Sequence, residues 1–422
     1  MTPWRTFLIV WSGQMGSTMG SYMTHFALTI WLWEQTHQVL PIALLAFWTE
    51  VPRLIAAPFS GAIADRWPRK YLILLGDTVA GVSTVTILLL YLTESLQIWH
   101  FYAAGIVTGI FAQLQTLAYT ASISTLLPET FYNRASGMAS VLHYGSIIIA
   151  PAIAGILYPL IRFSGILAID LGTFLFAFST VAFIRIPPLQ AKKKSEETKV
   201  KKTLNQDIRE GMAYILMRPN LLFLLFISAL FQFVHDIGKS VYSPLILARS
   251  QDNPQVLGLA SAAAGLGGIL GSIGVSIKPL PGRKTHALFG GMVGAGLCKT
   301  VFGLGQNLWV WFPAQFASSV NFPVMASAKQ AILWTDVKPE LQGRVFAVAS
   351  LLTGIASPLA KPLAGWLADR FFEPAMRENG ALSGSLGGLF GTNSGAGMAV
   401  LYTLSSLGLI AVGSIAFLTR RE

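Results

Sequence analysis

Twelve apolar runs divide the chain, at about residues 7–33, 39–62, 71–92, 98–127, 135–160, 164–186, 219–247, 255–277, 286–305, 308–330, 345–367 and 398–418. Each is near the roughly 20 apolar residues that carry a helix across a bilayer. Six precede and six follow one hydrophilic stretch, Pro187 to Arg218. A lipid-embedded backbone must satisfy its own hydrogen bonds, which leaves helices or a closed barrel. The short alternating strands of a barrel do not occur. The pattern predicts an all-α polytopic membrane protein with twelve transmembrane helices. Residues 1–186 form one six-helix half and residues 219–422 the other, with a basic linker at 187–218. Within the linker, Leu204 to Met217 has the spacing of an amphipathic helix lying against the membrane.

The halves repeat one another. A shift of 210 residues places Arg134 on Arg344, Ala139 and Ser140 on Ala349 and Ser350, Ala154 and Gly155 on Ala364 and Gly365, and Leu157 on Leu367. Two parallel six-helix repeats with a central cytoplasmic linker predict a rocking secondary transporter with its substrate between the halves.

Composition strengthens this picture. Of 422 residues, 53% are hydrophobic and 12% charged, half the charge of a soluble domain. Mean hydropathy is +0.58. A soluble enzyme or a disordered scaffold is excluded. The net charge of +11 would point to nucleic acid in a soluble protein, but its distribution here reads as membrane topology. With the N-terminus inside, inner segments hold 21 lysines and arginines, outer segments four, and the spans five. That asymmetry places both termini in the cytoplasm, and no nucleic-acid partner is expected. The first apolar run is too long for a signal-peptide core and is expected to be retained as a span. The single cysteine, Cys298, allows no internal disulfide. There is no phosphate-binding G-x-x-x-x-G-K-[ST] loop and no metal-ligand spacing of His, Cys and acids. No enzymatic activity, metal or cofactor is expected, and the driving force falls to an ion gradient.

Ionisable groups within spans are functional candidates, because each costs several kcal/mol unless paired. Glu50 and Arg53 stand three residues apart midway along span two, and Asp236 and Lys239 repeat that spacing in span seven beside His235. Asp170 lies in span six and His143 in span five. These seven residues are the coupling candidates. Glu50 leads, because its helix also carries Asp65. Asp77, near the inner end of span three, is placed to reach the Arg69 loop. Lys299 and Lys361 lie deeper, without an evident partner. Trp31, Trp33, Trp99 and Trp309 fall near span ends, as an interfacial belt does.

Between spans two and three, Gly61, Asp65, Arg66, Arg69 and Lys70 stand in the order Gly-Ala-Ile-Ala-Asp-Arg-Trp-Pro-Arg-Lys. Gly61 permits close helix approach. Asp65 can pair across a tight turn that Arg69 and Lys70 anchor. This segment resembles the G-x-x-x-D-R-x-x-R-[RK] signature of the major facilitator superfamily, with Pro68 where most members carry glycine. Gly343 and Arg344 opening span eleven, the Ala364 to Asp369 and Phe372 to Met376 segments, and Arg134 in the first half resemble the bacterial efflux branch that includes macrolide exporters and the enterobactin exporter. Ala150 to Gly155, with Pro151, resembles the antiporter motif of drug exporters, alanine replacing its first glycine. Pro151 and Gly155 together supply a hinge. The resemblance implies an inner-membrane protein that exports a hydrophobic or amphipathic small molecule, drug-, macrolide- or siderophore-like, in exchange for protons. Its partners would be that substrate and membrane lipid, and it would act as a monomer. Proton-coupled import, lipid flipping, facilitated diffusion and a non-transporting scaffold remain the alternatives.

Overall fold

The computed structural model describes residues 2–184, 204–277 and 283–419. The Lys192 to Lys202 part of the linker and the Lys278 to Gly282 turn lie outside the described residues. The first half contains α1 (Pro3–Thr36), α2 (Leu40–Arg66), α3 (Arg69–Leu92), α4 (Ile98–Leu126), α5 (Tyr132–Ser140) and α6 (Ser146–Phe183). A π-helical turn, Val141–Gly145, joins α5 to α6. Within α6, Arg162 adopts φ 58°, ψ −172°. That single non-helical residue separates spans five and six where the apolar pattern is interrupted.

After the linker come α7 (Leu204–Leu216), α8 (Pro219–Arg249), α9 (Pro254–Ile277), α10 (Lys284–Leu304) and α11 (Leu308–Asp336). Span eleven is built from α12 (Gln342–Gly354), α13 (Ala356–Leu367), a second π-helical turn at Ala368–Phe372, and α14 (Glu373–Met376). The short α15 (Ser383–Phe390) leads into α16 (Ala396–Thr419). Nine helices among the described residues are long and apolar enough to cross a membrane. The rest of the twelve are α1 and α11, equally long but more polar, and the second span within α6.

The contacts divide the chain into two units. Unit 1 comprises Met1–Thr36, Leu44–Glu197 and Leu257–Ala262, and unit 2 comprises His37–Ala43, Thr198–Val256 and Ala263–Glu422. Each half therefore carries a short piece of the other, at the starts of α2 and α9. In unit 1 the α1–α6 and α3–α4 pairs pack most extensively, with Val10, Ile73 and Val181 fully buried. In unit 2 the core runs through Ile215, Leu224, Phe289, Ala328, Val345 and Ala416. Outward-facing side chains are apolar in both units; Leu160, Phe183 and Trp309 are 74%, 89% and 90% exposed, as lipid-facing residues are. Trp33 departs from the expected belt. It is buried, with Ile30 and Leu32 beside it in the same turn of α1.

The expected amphipathic helix is α7, and it is docked on unit 2. Ile215 is buried, and Glu210 pairs with Arg344 of α12 at 2.5 Å. Gly211 lies against the Arg344 carbonyl, where a Cβ would sit 2.8 Å from the oxygen. Tyr214 and Arg218 both donate to the Asp336 carbonyl, at 3.1 and 2.7 Å, so the end of α11 is capped by the linker.

Candidate functional site

Buried polar groups gather in each unit. In unit 1 the centre is Asp77 of α3, which is 1% exposed. Gln14 of α1 donates to its Oδ2 at 3.1 Å, and Gln115 of α4 donates to its Oδ1 at 2.6 Å. The Gln115 amide also reaches Gln14 Oε1, at 3.2 Å, closing a triangle across three helices. Asp77 does not reach the Arg69 loop. Arg69 instead donates to the Ala121 carbonyl, and Lys70 donates to the Ala182 and Ile184 carbonyls at 2.7 and 2.8 Å. The two basic motif residues thus cap the ends of α4 and α6, as cations at helix C-termini do.

Two turns along α3, Thr84 donates to Asp170 of α6 at 2.9 Å, and Ser21 of α1 donates to the same carboxylate at 3.5 Å. Gly20 makes room for Asp170: a Cβ there would lie 2.7 Å from Oδ1 and 3.1 Å from the Asp170 Cα. Arg53 donates from Nε to Gln113 of α4 at 3.1 Å. Glu50 is half-buried on the same helix. Beside them, Trp48, Ile55, Phe59, Ile63, Ile110 and Leu114 line an apolar cavity of about 430 Å³ between α2 and α4.

In unit 2 one face of α8 carries Gln232, His235, Asp236, Lys239 and Tyr242, a polar stripe at helical spacing. Asp236 is 1% exposed, accepts from Gln232 at 2.8 Å on Oδ2, and has no donor on Oδ1. Lys239 is exposed and makes no ion pair with it. The stripe faces α10 and α11. The His235 ring lies 5.0 Å from Phe322, and Tyr242 stacks on Phe302 at 5.3 Å. Lys299 of α10, buried at 6% exposure, donates to the Tyr402 hydroxyl at 3.2 Å and sits 6.0 Å from the Phe322 ring centroid.

The two units are built on one plan. Gly76, Gly81 and Thr84 of α3 keep the same offset to Gly291, Gly296 and Lys299 of α10. Gly20 packs on Thr173 and Asp170, and Gly238 packs on Ser405 and Tyr402. Corresponding seats therefore hold an acid fed by a hydroxyl in unit 1 and a base feeding a hydroxyl in unit 2.

The segment after α13 holds two further acids one turn apart. Asp369 accepts from the Val39 and Leu40 amides, both at 2.8 Å, and so caps the start of α2. Glu373 accepts from the Met398 and Gly395 amides at 2.8 and 3.4 Å and caps α16. Each exploits the unpaired N–H groups and positive end of a helix.

Other expected residues are scattered. The side chains of Asp65, Arg66 and His143 lie outside the described residues. Gly61 is open: a Cβ there would meet nothing within 4 Å among the described residues. Gly343 is likewise open, and Arg134 is exposed at the start of α5. Pro151 and Gly155 do present a smooth face, against Gly258 of α9, whose Cβ position is 2.9 Å from the Pro151 carbonyl oxygen. Sequence reading weighed ionisable groups and passed over Gln14, Gln115 and Tyr402. Their signal was present as amides and a hydroxyl at mid-span positions, where polarity is as costly as anywhere in the protein.

Two related six-span units with carboxylates buried among their helices define a polytopic transporter. The sequence pattern of the Major Facilitator Superfamily matches residues 10–360, and the chain belongs to that family; it is a membrane transporter and not an enzyme. It is similar to macrolide efflux protein A of Streptococcus pyogenes, 23% identical over 86% of this chain and 89% of the relative. The multidrug efflux pump Tap of Mycolicibacterium fortuitum is 21% identical over 86% of this chain and 89% of its own. Among solved structures, a bacterial homolog of the human lysosomal transporter Spinster superposes with a TM-score of 0.73 at 15% identity, covering 99% of this chain and 97% of that one. The nucleoside transporter NupG gives 0.74 at 11% identity, over 97% and 99%.

Proposed function

We propose that the protein is a proton-driven exporter of an amphipathic small molecule, working by alternating access in a bacterial cytoplasmic membrane. The reading is carried by Asp77. Its carboxylate is buried and held by two neutral amides, with no cation at ion-pair distance among the described residues. Proton exchange is the chemistry open to an acid so placed, since no counter-ion balances its charge. Its donors come from two other helices, α1 and α4, so a shift of either changes the acid's surroundings and hence its proton affinity. Asp77 takes this role ahead of Glu50, which is only half-buried where Asp77 is 1% exposed. The apolar cavity beside α2 and α4 supports a hydrophobic cargo. The relatives named for macrolide and multidrug efflux support the outward direction.

Inverted membrane vesicles energised with an inside-acid gradient test the reading. A panel of amphipathic compounds should yield at least one that accumulates and is released by a protonophore. Accumulation indifferent to the protonophore, or driven only by the opposite gradient, would replace proton-driven export with facilitated diffusion or import. The positive-inside distribution also assigns the 187–218 linker to the cytoplasm, so a reporter fused at Ser195 should read as cytoplasmic.

A further inference from the structure

Seven residues beyond Asp77 on α3 stands Thr84, and seven residues beyond Gln14 on α1 stands Ser21. Two turns along the same pair of helices, a second acid, Asp170 of α6, is buried at 6% exposure. Its setting differs in kind from that of Asp77. Thr84 donates to Oδ2 at 2.9 Å, and Ser21 to Oδ1 at 3.5 Å. Thr24, one turn beyond Ser21 on the same face of α1, acts on this carboxylate through its hydroxyl. That Oγ1 is buried and completes no hydrogen bond among the described residues. No lysine, arginine or histidine pairs with Asp170 among the described residues. Three helices meet at the carboxylate, and what they offer it is hydroxyl oxygen.

Hydroxyls and amides are not equivalent partners. At Asp77 the amides present N–H groups, which only donate. A hydroxyl rotates, and the oxygen that donates one bond also carries two lone pairs. Asp170 Oδ1 and Oδ2 with Ser21 Oγ, Thr24 Oγ1 and Thr84 Oγ1 make a set of oxygens without nitrogen or sulfur, which is what a hard cation takes. A hard cation held at about 2.3–2.6 Å sets neighbouring oxygens roughly 3–3.7 Å apart. The contacts of 2.9 and 3.5 Å are close to that spacing. One carboxylate balances one positive charge, so a divalent ion would leave net charge within the membrane. Glycine keeps this side of the acid open: a Cβ at Gly20 would lie 2.2 Å from Thr173 Oγ1 and 2.7 Å from Asp170 Oδ1. Ser21 is exposed and supplies the entry path that an ion site requires.

We infer that Asp170, Ser21, Thr24 and Thr84 form a binding site for a sodium ion. Buried charges are paired or coordinate a metal, and sodium supplies the positive charge that no side chain brings to Asp170 among the described residues. It is small enough for a shell of few oxygens held close by packing on Gly20. Bound sodium ties α1 and α3 to α6, two turns from Asp77. The site goes beyond proton-driven export and does not depend on it.

The test is binding of radiolabelled sodium to the purified protein in phosphatidylcholine nanodiscs. Choline chloride holds the ionic strength constant, and a mildly alkaline pH keeps proton competition low. Sodium should bind saturably at one ion per chain, and potassium should displace it at least about tenfold less well. Asp170→Asn should abolish binding. Thr84→Val should weaken it at least about tenfold, while Thr84→Ser, which keeps the oxygen, should hold it within about threefold. Where Asp170→Asn does not fold, the Thr84 pair decides. No saturable binding to the wild-type chain, potassium as effective as sodium, or equal affinity in Thr84→Val and Thr84→Ser overturns the inference. Binding that survives Asp170→Asn also overturns it. The measurement uses neither a gradient nor a substrate. Failed sodium binding therefore leaves proton-driven export standing, and failed export leaves the sodium site standing.

Discussion

Gln115 donates to Asp77 at 2.6 Å, and with it ties α4 to α3 through a carboxylate that no cation among the described residues pairs with. Because the pair is buried, removing one member exposes the cost of the other. Gln115→Leu should destabilise the protein by roughly 1–3 kcal/mol, the penalty for an unsatisfied buried group. Asp77→Leu in the same chain should recover much of that loss. Thermal unfolding in detergent reads both. A double variant no more stable than Gln115→Leu would show that the two side chains are not energetically linked.

The α7 helix offers a contrast between charge and packing. The Glu210–Arg344 pair has side chains 31% and 37% exposed, so Glu210→Gln should cost less than about 1 kcal/mol. Ile215 is fully buried, and Ile215→Ala should cost roughly 2–5 kcal/mol. Unfolding midpoints compared for the two variants check the order, and a larger loss from Glu210→Gln would reverse it.

Gly16 and Gly20 form one G-x-x-x-G pair in the sequence but differ in the fold. A Cβ at Gly16 would lie 3.7 Å from Phe176, ordinary contact, whereas at Gly20 it would press on Thr173 and Asp170. Gly16→Ala should therefore fold at wild-type yield. Gly20→Ala should lose at least about 1–3 kcal/mol through overpacking. Size-exclusion yield of folded protein distinguishes the two.

Asp369 caps α2 through two backbone amides, and an N-cap acceptor contributes roughly 1 kcal/mol. Asp369→Ala should raise amide hydrogen exchange at Val39 and Leu40 at least several-fold while leaving Met398, capped by Glu373, unchanged. Equal acceleration at both helices would mean that the substitution disturbs the whole segment.

Much of the architecture was readable from hydrophobic runs, because lipid admits so few backbone solutions. The break between spans five and six, the linker helix and the repeat all followed from local pattern. The sites were less legible. Spacing three residues apart on one helix brings Asp236 and Lys239 to one face, yet the acid turns to Gln232 and the lysine to open space. What decides is a neighbour from another helix, and periodicity carries no information on which neighbour arrives. Asp77 likewise meets Gln14 and Gln115 from far along the chain. Lys299 was visible as a charge in a span, but its partner Tyr402 stands 103 positions away.

The central claim is that Asp77 carries the proton that drives export. Asp77→Asn keeps the size of the side chain, exchanges one accepting oxygen for a donating NH2, and cannot exchange a proton. In vesicles, gradient-driven accumulation should vanish while exchange of labelled for unlabelled substrate continues at a rate near wild type. Accumulation that survives in Asp77→Asn and disappears in Glu50→Gln or Asp236→Asn would contradict the account and move the coupling site to that residue.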